Sequence, residues 1–429
     1  MPKTLKEKCK FVKGAKNAAI YDLANKKVYV LNSVGKSFVE DFVIDPTRLN
    51  PQGVEYIEKL ENLGLIEEND SIRNIENEQP TCPDCHLHYV WLELTQHCNL
   101  RCVHCYGQFG SPINESSNTK AMTTEDWKRV IREIKEAGCT AIQLIGGEPL
   151  CFSNFKEILT YAHAIGMERI DIFTNGTLIN ESFLQLVKET RASVRVSLYG
   201  HDAHTHESVT GVKGSFQKTV TALKLLKEQD VPTTVAVIIM KANQSYIEEI
   251  KTFIESLGHV FSGYDTIRQV AGKVNNDNCI TDAEILESRY HTSANFFTSE
   301  EQYAHNLHWN NCWSGKLAIT DSGDLLPCIF ARDTVIGNVS KESLSEGLDK
   351  ALPYWSMTLD QVDGCKDCEY RYACYNCRPL AMSIGGAVDS KEPRCCYDPY
   401  EGIWRDIEEC TKELGAALKT IVNFTTIMG

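Results

Sequence analysis

The chain has 429 residues, of which 42% are hydrophobic, enough for two or three domains rather than one small core. No apolar run approaches a membrane span, and the basic N-terminus has no apolar segment behind it, so neither a membrane protein nor a secreted one is expected and the predicted location is cytoplasmic. A net charge of −14 argues against nucleic acid, whose phosphates need a basic face.

In residues 1–78, Ala18 to Asp22 and Lys27 to Leu31 alternate and are joined by Leu23-Ala24-Asn25-Lys26, which predicts a hairpin. Ser33 to Phe42 and Gln52 to Leu63 carry helical periodicity, with Gly64 as the stop. A hairpin followed by helices predicts a small winged-helix-like module. Ser71 to Pro80 is polar and reads as a linker. Residues 79–275 then repeat a strand-helix rhythm. Strands are predicted at Val90–Leu94, Ala141–Ile145, Arg169–Phe173, Ser193–Leu198, Thr233–Ile239 and Tyr264–Ile267. Helices are predicted at Thr124–Ala137, Asn154–Ile165, Glu181–Glu189, Ser215–Glu228 and Tyr246–Leu257. This alternation builds a parallel sheet. Six strands are too few for the closed eightfold barrel, so the expected fold is α/β with a partial (β/α)6 TIM barrel. Residues 276–400 are loop-rich and cysteine-rich. In the final segment, 401–429, Gly402 to Leu418 predicts an amphipathic helix.

Eighteen cysteines in a long chain, gathered in tight pairs, read as metal or cluster ligands rather than as a disulfide scaffold. Cys98-Asn99-Leu100-Arg101-Cys102-Val103-His104-Cys105 directly follows the first barrel strand, at the mouth where active sites of such folds are built. Three cysteines spaced in this way can hold three corners of a four-iron cluster and leave the fourth iron open. The next strand ends in Gly146-Gly147-Glu148-Pro149. Two glycines let a ligand approach the backbone, and the Glu148 carboxylate can accept from an ammonium group. The third and fourth strands end in Thr174-Asn175-Gly176-Thr177 and Ser197-Leu198-Tyr199-Gly200. The competing reading is a zinc site with His97 or His104 as fourth ligand. Downstream, Cys312-x10-Gly323-x4-Cys328 is followed by Cys365-x2-Cys368-x5-Cys374-x2-Cys377 and Cys395, for which structural zinc is again the alternative. No general acid or base is assigned.

Four motifs in order, each after a predicted strand, resemble the radical S-adenosylmethionine (SAM) superfamily, with His104 in the aromatic position of Cys-x3-Cys-x-aromatic-Cys. Gly146, Gly147 and Glu148 match its SAM-ammonium motif. Asn175 and Ser197 match polar positions used around the SAM ribose and carboxylate. The resemblance implies that Cys98, Cys102 and Cys105 hold a [4Fe–4S] cluster. One electron, delivered by a flavodoxin or ferredoxin, then cleaves SAM into methionine and a 5′-deoxyadenosyl radical that takes hydrogen from the substrate. The later cysteines resemble the SPASM extension, which normally holds two auxiliary [4Fe–4S] clusters, three in all. Carried over, Cys365, Cys368, Cys374 and Cys395 hold the distal cluster, and Cys312, Cys328 and Cys377 the proximal one. Cys396 leaves the distal ligand open by one residue. Ala318 stands where many members have a further cysteine, so the proximal cluster is expected to keep an open iron for a substrate thiolate.

Residues 1–80 hold 12 basic and 13 acidic side chains, a balance unsuited to DNA. The module instead resembles the precursor-peptide recognition domain of peptide-modifying enzymes, where a leader peptide adds as a strand to the hairpin edge. The expectation is a peptide maturase of the sactisynthase or ranthipeptide-synthase kind, acting on a ribosomally made precursor and linking a cysteine sulfur to a carbon. Carbon–carbon crosslinking, sulfatase-type cysteine or serine oxidation, and a cluster-containing regulator are the alternatives. Sulfatase maturases typically carry an aspartate where this chain has Ile329. Cys9, Cys139, Cys151, Cys279, Cys396 and Cys410 read as small buried residues. Cys82 and Cys85 read as packing, a redox pair or a spare cluster ligand.

Overall fold

The computed structural model describes residues 3–68, 84–107, 121–267, 278, 296–383 and 386–413. The linker expected at Ser71 to Pro80, Cys82, Cys279 and the end of the expected C-terminal helix lie outside them. The chain divides into two units, one of residues 1–84, 282–312 and 356–429, the other of 85–281 and 313–355. This differs from the bounds expected from sequence (1–78, 79–275, 276–400, 401–429): residues 313–355 count with the barrel, and the rest of the cysteine-rich segment counts with the N-terminal module.

The first unit opens with β1 (Lys3–Leu5), β2 (Cys9–Lys13), β3 (Ala18–Asp22) and β4 (Lys27–Leu31), followed by α1 (Ser33–Ile44), α2 (Pro51–Asn62) and β5 (Ile66–Glu68). β1 pairs with β5, and β2, β3 and β4 form an antiparallel meander with β3 in the centre. The β3–β4 hairpin falls where its alternation predicted. β2 was missed because only Cys9 and Val12 of its five residues are buried, which leaves no period-two pattern to read. Asn32 and Asn50 cap the helices by accepting from Gly35 N and Gly53 N. Leu5, Ile20, Leu31, Val39, Ile57 and Leu65 form the core beneath. Later in the same unit, where one helix was expected over Gly402 to Leu418, Ile403–Trp404 is a strand paired with Tyr397–Asp398, and the helix runs from 407 to 413 within the described residues.

The second unit is built from β6 (Tyr89–Glu93), α3 (Thr124–Glu136), β7 (Ala141–Ile145), α4 (Phe155–Ala164), β8 (Arg169–Thr174), α5 (Glu181–Thr190), β9 (Ser193–Ser197), α6 (Ala203–Thr210), α7 (Ser215–Glu228), β10 (Thr233–Ala236), β11 (Ile238–Ile239), α8 (Ile247–Ser256), β12 (Asp265–Thr266), β13 (Lys316–Ile319), β14 (Asp324–Leu326) and β15 (Gly337–Asn338). Its main sheet has the order β10-β9-β8-β7-β6-β13-β14-β15. The strands from β6 to β10 are parallel, as a strand-helix rhythm requires. Two features depart from the expected six-strand barrel. The fifth predicted strand breaks at Val237, so β11 and β12 form a separate parallel pair. On the other side β13, from the segment read as cysteine-rich loop, adds in parallel to β6, and β14 and β15 follow antiparallel. Ala318 is therefore a fully buried strand residue, opposite Trp91 and Leu326.

The pleat separates two faces. Leu92, Leu144, Ile172 and Val194 are fully buried along one row. The opposite face carries Trp91, Gln143, Asp171 and Ser193 in register, with Glu93, Arg195 and Ser197 beyond them toward the strand C-termini. Asp171 is neutralised there: it accepts from Tyr89 Oη and Arg169 Nε, both at 3.0 Å. Among the described residues no helix is long and apolar enough to cross a membrane.

Buried Asn243 closes the seam where β11 leaves the sheet. Its Nδ2 donates to Tyr199 O at 3.0 Å and Ile238 O at 2.9 Å, and its Oδ1 accepts from Met240 N at 2.7 Å. Asn243→Ala strands all three backbone groups, so it is expected to destabilise the protein by about 2–4 kcal/mol, read as a lower urea midpoint than the parent.

Candidate functional site

The cysteine loop is fastened at both ends by backbone bonds. At its start, Leu94 N donates to Ile145 O at 2.9 Å, Gly147 N to Thr95 O at 2.7 Å and Glu148 N to His97 O at 2.8 Å. This clasp needs glycine. Gly146 has φ +151°, and a Cβ on it would lie 2.5 Å from Thr95 O. A Cβ on Gly147 would lie 2.4 Å from His97 O. The close approach that the glycine pair permits is thus to the cysteine loop's own backbone, where the sequence suggested a ligand. Farther along, Arg101 N and Val103 N donate to Thr210 O and Val209 O at the end of α6.

Burial pushes the Cys98 thiol up to about 11, and it raises Cys102 as well. Cys105 raises both, and Cys98 raises Cys102, so the three thiols share one neighbourhood. Among the described residues no three His, Cys, Asp or Glu side chains gather closely enough around one point to hold a single ion. His104 is half-buried, its Nδ1 has no hydrogen-bond partner among the described residues, and desolvation lowers its pKa to about 4, so it is a neutral ring packed edge-on to Tyr199 at 4.8 Å. Cys151, read from sequence as a packing residue, stands beside the loop: its thiol accepts from Asn99 N and is raised by burial and by Glu148.

Glu148 is the most constrained polar group of the site. Only 1% exposed, it accepts from Thr174 Oγ1 at 2.7 Å, Asn175 N at 2.8 Å and Leu150 N at 3.1 Å. Burial outweighs these donors and raises its pKa to about 7. Asn175 also donates to Asn99 Oδ1 at 2.9 Å, which ties the third strand's loop to the cysteine loop. Ser197 is buried at the end of β9 and bonds the Tyr199 hydroxyl, whose pKa is raised by burial and then by Cys102. The sequence-predicted Gly146, Gly147, Glu148, Asn175 and Ser197 therefore lie at the C-terminal ends of adjacent strands.

Two further features were not legible beforehand. Tyr199 lines the cysteine loop, and its only sequence signal was its place two residues after Ser197. Arg332 Nη1 donates to both oxygens of buried Glu93 at 2.7 Å, and Tyr106, next to Cys105, donates to Glu93 at 3.0 Å. This pair joins residues 239 apart in sequence, a separation no local pattern reports.

In the first unit, Cys365, Cys368, Cys374 and Cys395 form a second group of thiols. Burial pushes Cys365 up to about 12 and raises the other three. Cys395 raises each of the other three, and Cys365 and Cys368 raise Cys374. Cys396 turns elsewhere: its thiol bonds Cys410, and the two pack with Trp404 and Ile407. Fully buried Arg378 lies against the group, donating to Ser390 O at 2.8 Å and Val388 O at 3.0 Å. Cys312 Sγ accepts from Tyr375 Oη at 3.7 Å, and Cys377 N donates to Glu392 at 3.2 Å. Cys328 belongs to the second unit, so the expected set Cys312, Cys328 and Cys377 is divided between the units.

Residues 92–254 match the family model of the radical SAM superfamily. Over 345 residues the chain is 27% identical to the AdoMet-dependent heme synthase of Methanosarcina barkeri, covering 72% of this chain and 95% of that protein. It is 23% identical over 347 residues to the PqqA peptide cyclase of Bradyrhizobium diazoefficiens, 74% of this chain and 89% of that one. Among solved structures, Streptococcus suis SuiB bound to its precursor peptide SuiA aligns with a TM-score of 0.53 at 16% identity, over 91% of this chain and 98% of that one. At that identity the likeness concerns the fold.

The Glu148 carboxyl keeps its proton in the folded protein between about 4.5 and about 7, a range in which the unfolded chain has already released it. Raising the pH through this window therefore disfavours the folded state. Thermal unfolding of the protein without its cofactors is expected to show Glu148→Gln gaining stability relative to the parent from pH 4.5 to 7, by roughly 1–3 kcal/mol. A difference independent of pH would contradict the assignment.

Proposed function

We propose, from the premise that residues 92–254 form a radical SAM domain, that this enzyme modifies a ribosomally made precursor peptide and that its leading reaction is a thioether link from a cysteine sulfur to a carbon. The reading is carried by one coincidence in a single chain: a clasped three-cysteine loop beside a buried carboxylate, and, at the N-terminus, a three-stranded sheet ending in β4, whose pairing among the described residues is with β3 alone. An end strand offers its backbone to an added strand, the mode by which leader peptides are held. The likeness to the PqqA peptide cyclase and to SuiB with SuiA points the same way.

In this reading Cys98, Cys102 and Cys105 hold a [4Fe–4S] cluster. When bound, the cluster and SAM together supply an electron and a carbon radical able to take a hydrogen atom. The chain's own groups bind and orient SAM. Glu148 faces the ammonium, which favours its charged form and relieves the cost of its burial. Asn175 and Ser197 would lie around the ribose and carboxylate of SAM. His104 and Tyr199 form an uncharged wall that keeps water from the site. Cys365, Cys368, Cys374 and Cys395 hold an auxiliary cluster. A second one on Cys312, Cys328 and Cys377 rests on spacing alone. An electron donor of the flavodoxin or ferredoxin kind completes the system.

For each link the carbon radical would take one hydrogen atom from carbon, the sulfur would release its proton, and the remaining electron would pass to an auxiliary cluster as the S–C bond forms. Mass spectrometry of the co-produced precursor should show a loss of two hydrogens per link, abolished by cysteine alkylation before reaction. A precursor that loses hydrogens with its cysteines still alkylatable would point instead to carbon–carbon crosslinking. The likeness to heme synthase supports a competing reading with a heme precursor as substrate. Heme formation, followed by its absorption spectrum, together with an unchanged peptide would establish that alternative.

Anaerobic reconstitution supplies a second measurement. A variant lacking Cys98, Cys102 and Cys105 should retain about eight irons if two auxiliary clusters are present and about four if only one is.

A further inference from the structure

Within the first unit, residues 13–21 lie against the segment that carries Cys365, Cys368 and Cys374. Ala15 N donates to Asp367 O at 2.7 Å, and the Tyr21 hydroxyl donates to Glu369 O at 2.7 Å. Arg371 Nη1 donates to Lys13 O and to Cys368 O, both at 2.9 Å. The backbone is thus held at Cys368 itself and at the residues on either side of it. Gly14 fits here only without a side chain, since a Cβ would lie 2.9 Å from Glu369 N. Asn17 extends the contact, donating to Tyr397 Oη at 3.2 Å and Gly402 O at 2.9 Å, and the Tyr397 hydroxyl in turn bonds the Glu369 carboxyl. The Tyr21 ring is fully buried between Tyr303 and Tyr372.

We infer that the β2–β3 hairpin is a positioning element of the four-thiol pocket, so that loading a cluster on Cys365, Cys368, Cys374 and Cys395 and ordering the hairpin are one coupled equilibrium. The inference rests on reading those four cysteines as cluster ligands. The physical argument is linkage. A cluster that needs Cys368 in place binds more tightly when the hairpin holds residues 367–371, and the loaded pocket stabilises the hairpin by the same factor. The coupling reaches the proposed peptide edge through a single strand, because β3 is bonded along its whole length to β4. Substrate recognition and auxiliary-cluster loading would then be two readouts of one small sheet.

The test uses the full chain, reconstituted anaerobically. Hydrogen exchange of the parent is compared with that of Cys365→Ser/Cys395→Ser, which removes two ligands that make no bond to the hairpin. Amides of residues 10–22 should exchange at least about tenfold faster in the variant, while those of α2 stay unchanged. Equal exchange in the two proteins overturns the inference and needs no hairpin variant to fold. Iron is then counted in a protein lacking Cys98, Cys102 and Cys105, with and without Gly14→Ala, Tyr21→Phe or the surface control Lys59→Ala. Gly14→Ala should lose about four irons per chain, Tyr21→Phe should lose part of them, and Lys59→Ala should lose none. Full iron in Gly14→Ala overturns the inference and leaves the cluster reading standing. Equal iron with and without the Cys365→Ser/Cys395→Ser pair overturns the cluster reading and the inference with it.

Discussion

Three backbone hydrogen bonds hold the β6–β7 end of the second unit together: Leu94 to Ile145, Gly147 to Thr95 and Glu148 to His97. They continue the β6–β7 ladder beyond the strands, where the chain would otherwise splay into separate loops. The condition for them is the absence of two Cβ atoms, at residues 146 and 147. Once the clasp is closed, the cysteine loop and the Glu148 carboxylate have a fixed spacing that no side chain has to enforce. Asn175 completes the arrangement by donating to both sides, from its backbone to Glu148 and from its side chain to Asn99.

Burial raises both kinds of acid, the carboxyls Glu93 and Glu148 of the second unit and the thiols of both units, but the two kinds find different partners. The carboxylates are provided for within the protein: Glu93 has Arg332, and Glu148 has three donors. The thiols are not. Cys98, Cys102, Cys365, Cys368, Cys374 and Cys395 are all pushed upward by burial. Near neutral pH they favour the protonated form, and Arg378 and Lys391 offset only part of the rise at Cys365. A metal bound at such thiols would displace their protons, and its binding free energy would add to the stability of the fold.

Much of the barrel was readable because its strands are local and dense in buried residues. Ala141–Ile145 and Arg169–Thr174 are short apolar runs between amphipathic helices, and such runs declare themselves. β13 did not, since four residues in a loop-rich stretch become a strand only by pairing with Tyr89–Leu92, far away in sequence. The Arg332–Glu93 pair and Tyr199's place at the cysteine loop are non-local in the same way. Spacing picked out the cysteine groups, but it could not choose between Cys395 and Cys396. Adjacent residues point to different sides, and only the packing of Trp404, Ile407 and Cys410 decides which of the two faces the other thiols. The glycine pair was read for the close approach of a ligand, and the structure shows in addition the close approach of the cysteine loop's own backbone.

The bond from Tyr21 to Glu369 spans 348 residues of sequence. During synthesis at roughly 5–20 residues per second, the N-terminal hairpin leaves the ribosome on the order of tens of seconds before the segment that buries its tyrosine exists. For that time the apolar face meant for Tyr303 and Tyr372 has no native cover. The hairpin is therefore made well before its native surroundings exist, and it cannot reach them until the segment from Cys365 to Cys395 has followed. Anything that pocket takes up would have to arrive after that segment, a temporal order written into the path of the backbone.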